Sequence, residues 1–183
     1  MERPQRSPIE IPDLLSEHIK DKVVCEIGCG EGDLLIGFAK HAKKVYGLEI
    51  QSSYYDKLRR IEESYNNIKI FYRGVSPNIE LQDIPEADLY YFWIDPDWDS
   101  YLIKKIREGK MAIQKASFNK GWIEQEFNKY QGKKEYIDFV PIEDTKFNIH
   151  GGTYNEKTPL VLGILEKRNG RGHESILERY NRV

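Results

Sequence analysis

The stretch Val23-Val24-Cys25-Glu26-Ile27-Gly28-Cys29-Gly30-Glu31-Gly32-Asp33-Leu34-Leu35 decides the reading of this chain. An apolar β-type run ends in three closely spaced glycines, and a helical pattern starts at once. Gly28, Gly30 and Gly32 have no side chains, so the turn can take positive φ and let a ligand approach its backbone. A turn that feeds a helix also directs unpaired N–H groups and the positive end of the helix dipole toward that ligand. The stretch therefore predicts a strand, a nucleotide-type cofactor turn and a helix.

Working outward, the 183 residues suit one domain with its own core. Charged residues make up 32% and hydrophobic ones 39% of the chain, a globular balance. The net charge of −2 supplies no global positive field for nucleic acid, although a local patch would be enough. Cys25 and Cys29 are the two cysteines, and both belong to the glycine turn, where they read as reduced core or turn residues. No neighbouring Cys/His pair completes a zinc site, so no metal is expected. Neither a secretory segment nor an apolar run of membrane-spanning length is present, which predicts a cytoplasmic protein with no membrane contact.

Periodicity divides the chain into an N-terminal arm and helix over 1–20, a single domain over 21–166 and a basic tail over 167–183. Apolar spacing predicts a helix over 11–19, with Pro12 in its first turn. Strands follow over 22–27, 45–50, 68–73, 88–94 and 110–115, with helices over 33–42, 98–108 and 121–130 and another starting at Ser53. The segment 79–86 reads as a loop or short helix, and Tyr90-Tyr91-Phe92-Trp93 as buried central strand. Asp95-Pro96 stops that strand, since proline would interrupt a central ladder. Two final strands over 135–140 and 159–166 flank a polar loop over 143–158. Alternating strands and helices predict an α/β fold, a doubly wound mostly parallel sheet, and the last two strands allow an antiparallel hairpin at one edge.

Two cofactor classes share a glycine turn after the first strand. The dinucleotide fingerprint places a third glycine where this chain has Asp33. The observed pattern is Glu26-x-Gly28-x-Gly30-x-Gly32, which resembles the first motif of the class I, seven-stranded S-adenosylmethionine-dependent methyltransferases. The resemblance extends over roughly residues 20–166. It implies a three-layer, seven-stranded Rossmann-like sheet of order 3-2-1-4-5-7-6, the last strand antiparallel, with S-adenosyl-L-methionine as cofactor. Glu26, Gly28, Gly30 and Gly32 would then shape the methionine and ribose site. Glu49, at strand-helix-strand distance from the turn, would accept the ribose hydroxyls, although NAD enzymes use an acid there too. Ile50 and Val75 complete the expected cofactor set; Val75 stands where the family often carries an acid for the adenine amino group.

Asp95-Pro96-Asp97-Trp98 resembles the D/N-P-P-Y/F/W motif of methyltransferases acting on exocyclic amino groups of nucleobases, with Asp97 in place of the second proline. Under that resemblance Asp95 and the Pro96 carbonyl accept the amino hydrogens, Trp98 stacks on the base, and Asp95 also borders the cofactor. The plainer reading is that Asp95-Pro96 ends a strand, Asp97 caps a helix and Trp98 fills core. In the loop over 143–158, Gly151-Gly152 could hinge a lid, with Phe147 and Tyr154 as apolar contacts. His150 is either a proton acceptor, since an imidazole titrates near working pH, or an idle exposed residue. The basic tail is either a solvated helix or a contact for RNA or an acidic protein. Methyl transfer to an unidentified acceptor is the leading expectation, with small molecule, protein side chain and RNA all open and the oligomeric state unassigned. A non-catalytic S-adenosylmethionine- or RNA-binding module and an aminopropyl transferase are the alternatives, and an NAD enzyme ranks below them.

Overall fold

A computed structural model describes residues 7–73, 84–92, 102–104, 106, 110–116, 120–142, 147–149, 152–154 and 159–168. Two short helical turns, α1 (Ile11–Leu14) and α2 (Ser16–Ile19), lead into β1 (Val23–Ile27) and α3 (Asp33–Ala39). Next come β2 (Lys44–Leu48), a 3-10 turn at Ser52–Tyr54, α4 (Tyr55–Ser64) and β3 (Ile68–Phe71). Then follow β4 (Leu89–Phe92), β5 (Met111–Ala116), α5 (Lys120–Phe127) and β6 (Gly132–Phe139). The series closes with β7 (Phe147–Ile149), β8 (Gly152–Tyr154) and β9 (Leu160–Lys167).

Seven of the described strands form one sheet in the order β3-β2-β1-β4-β5-β9-β6. The pairs β1–β2, β1–β4, β2–β3 and β4–β5 are parallel, while β9 runs antiparallel to both β5 and β6. Burial follows position in that order. All four residues of β4 are buried and β9 is buried over its first six, as expected for strands covered on both faces. At the β3 edge, by contrast, buried Ile68 and Ile70 alternate with exposed Lys69.

Apolar residues cover both faces. Ile11, Leu15, Ile19, Leu35, Phe38 and Leu58 pack against Val24, Val45 and Ile68 on one side. Leu102, Ile103, Ile106, Ile123 and Phe127 pack with Cys25, Ile27 and Phe92 on the other. The result is helices on both faces of a mostly parallel sheet with an antiparallel pair at one edge, the α/β architecture that the sequence predicts.

Local details differ. The helix expected over 11–19 breaks at Leu15, whose φ of −97° and ψ of 2° leave the helical region. Ile11, Leu15 and Ile19 are all fully buried, so the two turns still present one apolar face to the core. The third helix stops at Ala39 because the chain turns back there, and Ala42 bridges to Lys20. Gly132 does not close a helix but opens β6, where an added Cβ would lie 2.2 Å from the Glu166 carbonyl oxygen. Within the expected polar loop, β7 and β8 pair antiparallel from Phe147↔Tyr154 to Ile149↔Gly152. Among the described residues no helix is long and apolar enough to cross a membrane.

Candidate cofactor site at the end of the first strand

The parallel sheet brings the C-terminal ends of β1 and β2 side by side, with Ile27 paired to Leu48. Gly28 and Cys29 N–H groups both donate to the Leu48 carbonyl oxygen, at 2.9 and 3.0 Å, and so pin the glycine turn to the second strand. Gly28, Gly30 and Gly32 take φ values of 76°, 52° and 84°. Each value favours glycine, since a Cβ there is strained. Gly30 and Gly32 serve different purposes. A Cβ added to Gly30 meets nothing within 4 Å, so that side of the turn faces open space. One added to Gly32 would lie 2.7 Å from Ile61 Cδ1, so Gly32 lets α4 pack closely on the turn.

Glu49 follows β2 and is 5% exposed. Its Oε2 accepts the Gly30 N–H at 2.7 Å and its Oε1 accepts the Gln51 N–H at 2.7 Å. Both carboxylate oxygens are thereby aimed, and each keeps a lone pair for a further donor. The residue thus joins the turn after β1 to the loop after β2 across the mouth of the site.

Glu26, on β1 just before the turn, is 4% exposed. Its Oε2 has no hydrogen-bond partner among the described residues. Burial, then the Asp33 and Glu49 carboxylates, push its carboxyl well above the usual range. An orphaned buried acid is costly unless something satisfies it, and a cationic or N–H-bearing ligand would do so. The residues present therefore fit a ligand that carries an ammonium group and a sugar. Cys25 and Cys29 are free and buried, and burial raises both thiols, which makes them poor nucleophiles and metal ligands. No group of three or more His, Cys, Asp or Glu among the described residues could hold a metal ion.

The rest of the rim comes from α4 and the end of β3. Ile50 is 67% exposed although apolar, beside the buried Glu49. Tyr55 O–H donates to the Ile50 carbonyl at 3.1 Å, and its ring meets Tyr72 edge-on at 4.5 Å. Lys57 reaches from α4 to Glu31 at 2.9 Å and Asp33 at 3.1 Å, and so clamps the start of α3. Sequence reasoning missed Gln51, Tyr55 and Lys57. Their partners are distant or backbone groups, so no spacing signal marks them. Glu26, Gly28, Gly30, Gly32, Glu49 and Ile50 do converge at the ends of β1 and β2. Val75, Asp95, Pro96, Trp98, His150 and the basic tail beyond Arg168 lie outside the described residues.

Several solved structures with this architecture carry methyltransferase names. An S-adenosylmethionine-dependent O-methyltransferase from Thermotoga maritima superposes with a TM-score of 0.65 at 12% identity, over 94% of this chain and 70% of that one. A tRNA (m1A58) methyltransferase from Aquifex aeolicus gives 0.64 at 17% identity, over 92% and 73%. The C-terminal domain of precorrin-6Y C5,15-methyltransferase from Rhodobacter capsulatus gives 0.63 at 11%, over 91% and 93%. No protein-family profile matches the chain. The fold is that of the class I S-adenosylmethionine-dependent methyltransferases.

Proposed function

We propose that this protein binds S-adenosyl-L-methionine at the Gly28–Gly32 turn and transfers its methyl group to a nucleophilic acceptor. The observation that carries the proposal is the buried Glu26 carboxyl, whose Oε2 has no hydrogen-bond partner among the described residues, beside a glycine turn whose Gly30 faces open space. Glu26 would face the ammonium group of the methionine moiety, Gly28, Gly30 and Gly32 would give its chain and ribose clearance, and Glu49 would accept the ribose hydroxyls. Ile50 and Val75 would line the adenine. The strand order agrees with the 3-2-1-4-5-7-6 sheet that the resemblance implies, with β9 as the antiparallel strand. The methyltransferase names of structures sharing this fold lend further support.

Bound at this site, the cofactor would supply a methyl group on a sulfonium, ready for in-line displacement. The protein's own task is then alignment of the acceptor and removal of its proton. Asp95 and the Pro96 carbonyl would accept the acceptor's amino hydrogens, and Trp98 would pack on it. That placement follows the D-P-x-W sequence after β4, the strand next to β1.

Titration calorimetry with S-adenosylmethionine tests the reading. Gly30→Arg should abolish binding by filling the open side of the turn, and Glu49→Ala should weaken it at least tenfold. Unchanged affinity in both variants would overturn the cofactor assignment. Asp95→Ala should lower turnover more than cofactor affinity. Transfer of labelled methyl into RNA, protein or metabolite fractions of a cell extract identifies the acceptor, and no transfer into any fraction would mark a binding module instead.

A further inference from the structure

Beyond the cofactor site, some described lysines are matched by acids and others are not. Lys57, Lys69, Lys110, Lys120 and Lys129 each lie within ion-pair distance of a carboxylate. Lys20, Lys40, Lys43 and Lys44 are exposed and form no ion pair among the described residues. The fold gathers Lys20, Lys43 and Lys44. Lys20 bridges to Ala42, and the Lys43 and Lys44 N–H groups both donate to the Lys22 carbonyl oxygen, at 2.9 and 3.4 Å. A basic cluster therefore sits at the N-terminal ends of β1 and β2. Its acidic neighbours are the exposed Asp21 and the half-buried Asp88, and Asp88 is already engaged by Lys110 and the Val23 N–H.

Exposed lysines are ordinarily just solvated, but these continue into a line of aromatic rings. Lys44 Nζ lies 5.1 Å from the Tyr46 ring centroid, and Tyr46 meets Phe71 edge-on at 5.7 Å. Arg73 places its guanidinium 5.0 Å from the centroid of Phe71 and, like Lys44, has no ion-pair partner among the described residues. Tyr46 and Phe71 are only partly buried, on the sheet face opposite Val45, Ile68 and Ile70. The series Lys44-Tyr46-Phe71-Arg73 thus follows the partly covered face of the β2–β3 edge, roughly 13 Å from the level of Lys44 to that of Phe71. It ends at the candidate site, because the Phe71 carbonyl oxygen accepts the Glu49 N–H at 3.1 Å.

We infer that this cation–aromatic track is a docking surface for single-stranded RNA that delivers an acceptor nucleotide to the cofactor site. Unpaired cations at one end neutralise phosphates, and the rings and the Arg73 plane offer stacking surfaces to unpaired bases. A duplex presents mainly phosphates and would leave Tyr46 and Phe71 unused, and an acidic peptide would use the charges alone. The inference rests on the methyl-transfer reading only for the choice of RNA as acceptor; the binding surface can be tested separately.

Fluorescence anisotropy with a labelled mixed-sequence 12-nucleotide RNA provides the test. Wild-type protein should bind it with an affinity that falls as salt rises. Lys43→Glu/Lys44→Glu should weaken binding at least tenfold and flatten the salt dependence, and Tyr46→Leu should weaken it about tenfold through lost stacking. Calorimetry on the Lys43→Glu/Lys44→Glu protein should give unaltered S-adenosylmethionine affinity, since those residues stand at the far end of the strands, and circular dichroism confirms folding. Absence of RNA binding, equal affinity in the variants, or equal displacement by duplex RNA, single-stranded DNA of the same sequence or poly-aspartate would each overturn the inference. Loss of S-adenosylmethionine binding by wild-type protein would instead overturn the proposed function and leave the RNA result standing.

Discussion

Glu26 and Glu49 are both buried acids at the same strand ends, yet their surroundings give them opposite characters. Glu49 receives two backbone N–H groups, which hold it in one orientation. Glu26 has an oxygen with no partner, and burial with the neighbouring Asp33 and Glu49 raises its carboxyl well above the ordinary range. The folded protein therefore holds a proton there that the unfolded chain has already released. It follows that stability should fall as pH rises from the ordinary carboxylate range toward the raised folded value. Glu26→Gln should flatten this dependence in urea unfolding at a series of pH values, and parallel wild-type and variant profiles would refute the assignment. The same variant should bind S-adenosylmethionine more weakly, because an amide offers no charge to an ammonium group. The acid-before-glycine pattern made Glu26 readable from the sequence. The missing partner of its Oε2 was not, because burial of an oxygen depends on neighbours distant in sequence.

Elements meet closely here at glycines. Gly32 admits Ile61 and Leu58 of α4 against the turn, while Gly163 in β9 admits α5. A Cβ at Gly163 would lie 2.4 Å from Ile123 Cγ2 and 3.0 Å from Phe127, and both of those side chains are fully or almost fully buried. Gly163→Ala should thus destabilise the protein by about 1–3 kcal/mol through overpacking, read from the denaturation midpoint. An unchanged midpoint would mean that α5 shifts without cost. Element types were largely legible from hydrophobic period, since β4 is a continuous apolar run, β1 is apolar apart from Glu26, and α4 repeats Leu58 and Ile61 at helical spacing. The break at Leu15 and the β7–β8 hairpin were not, because both depend on what the segment packs or pairs with rather than on its own period.

For the molecule as a whole, a ligand that binds only the folded state adds stability by mass action. S-adenosylmethionine at about a hundred times its dissociation constant should contribute about 2.7 kcal/mol, a rise of several degrees in Tm for a chain of this size. Gly30→Arg should retain the fold and lose that rise, which separates binding from folding in a single thermal scan. A rise of equal size in the variant would show that the cofactor binds elsewhere. Charge distribution also belongs to this scale. The chain is slightly acidic overall, yet folding sets Lys20, Lys43 and Lys44 beside one another while acids elsewhere pair with other lysines.

By itself the sequence determined the α/β class, the glycine turn, the acids on either side of it and the exclusion of a dinucleotide fingerprint at Asp33. These are local properties, written in period, in spacing and in the need for glycine at positive φ. Only the tertiary structure decided that Glu49 would hold Gly30, that Glu26 Oε2 would be left without a partner, and that a lysine cluster would run into Tyr46 and Phe71. Such facts depend on which strands become neighbours. Strand neighbourhood is set by burying apolar faces throughout the sheet, which no single segment specifies.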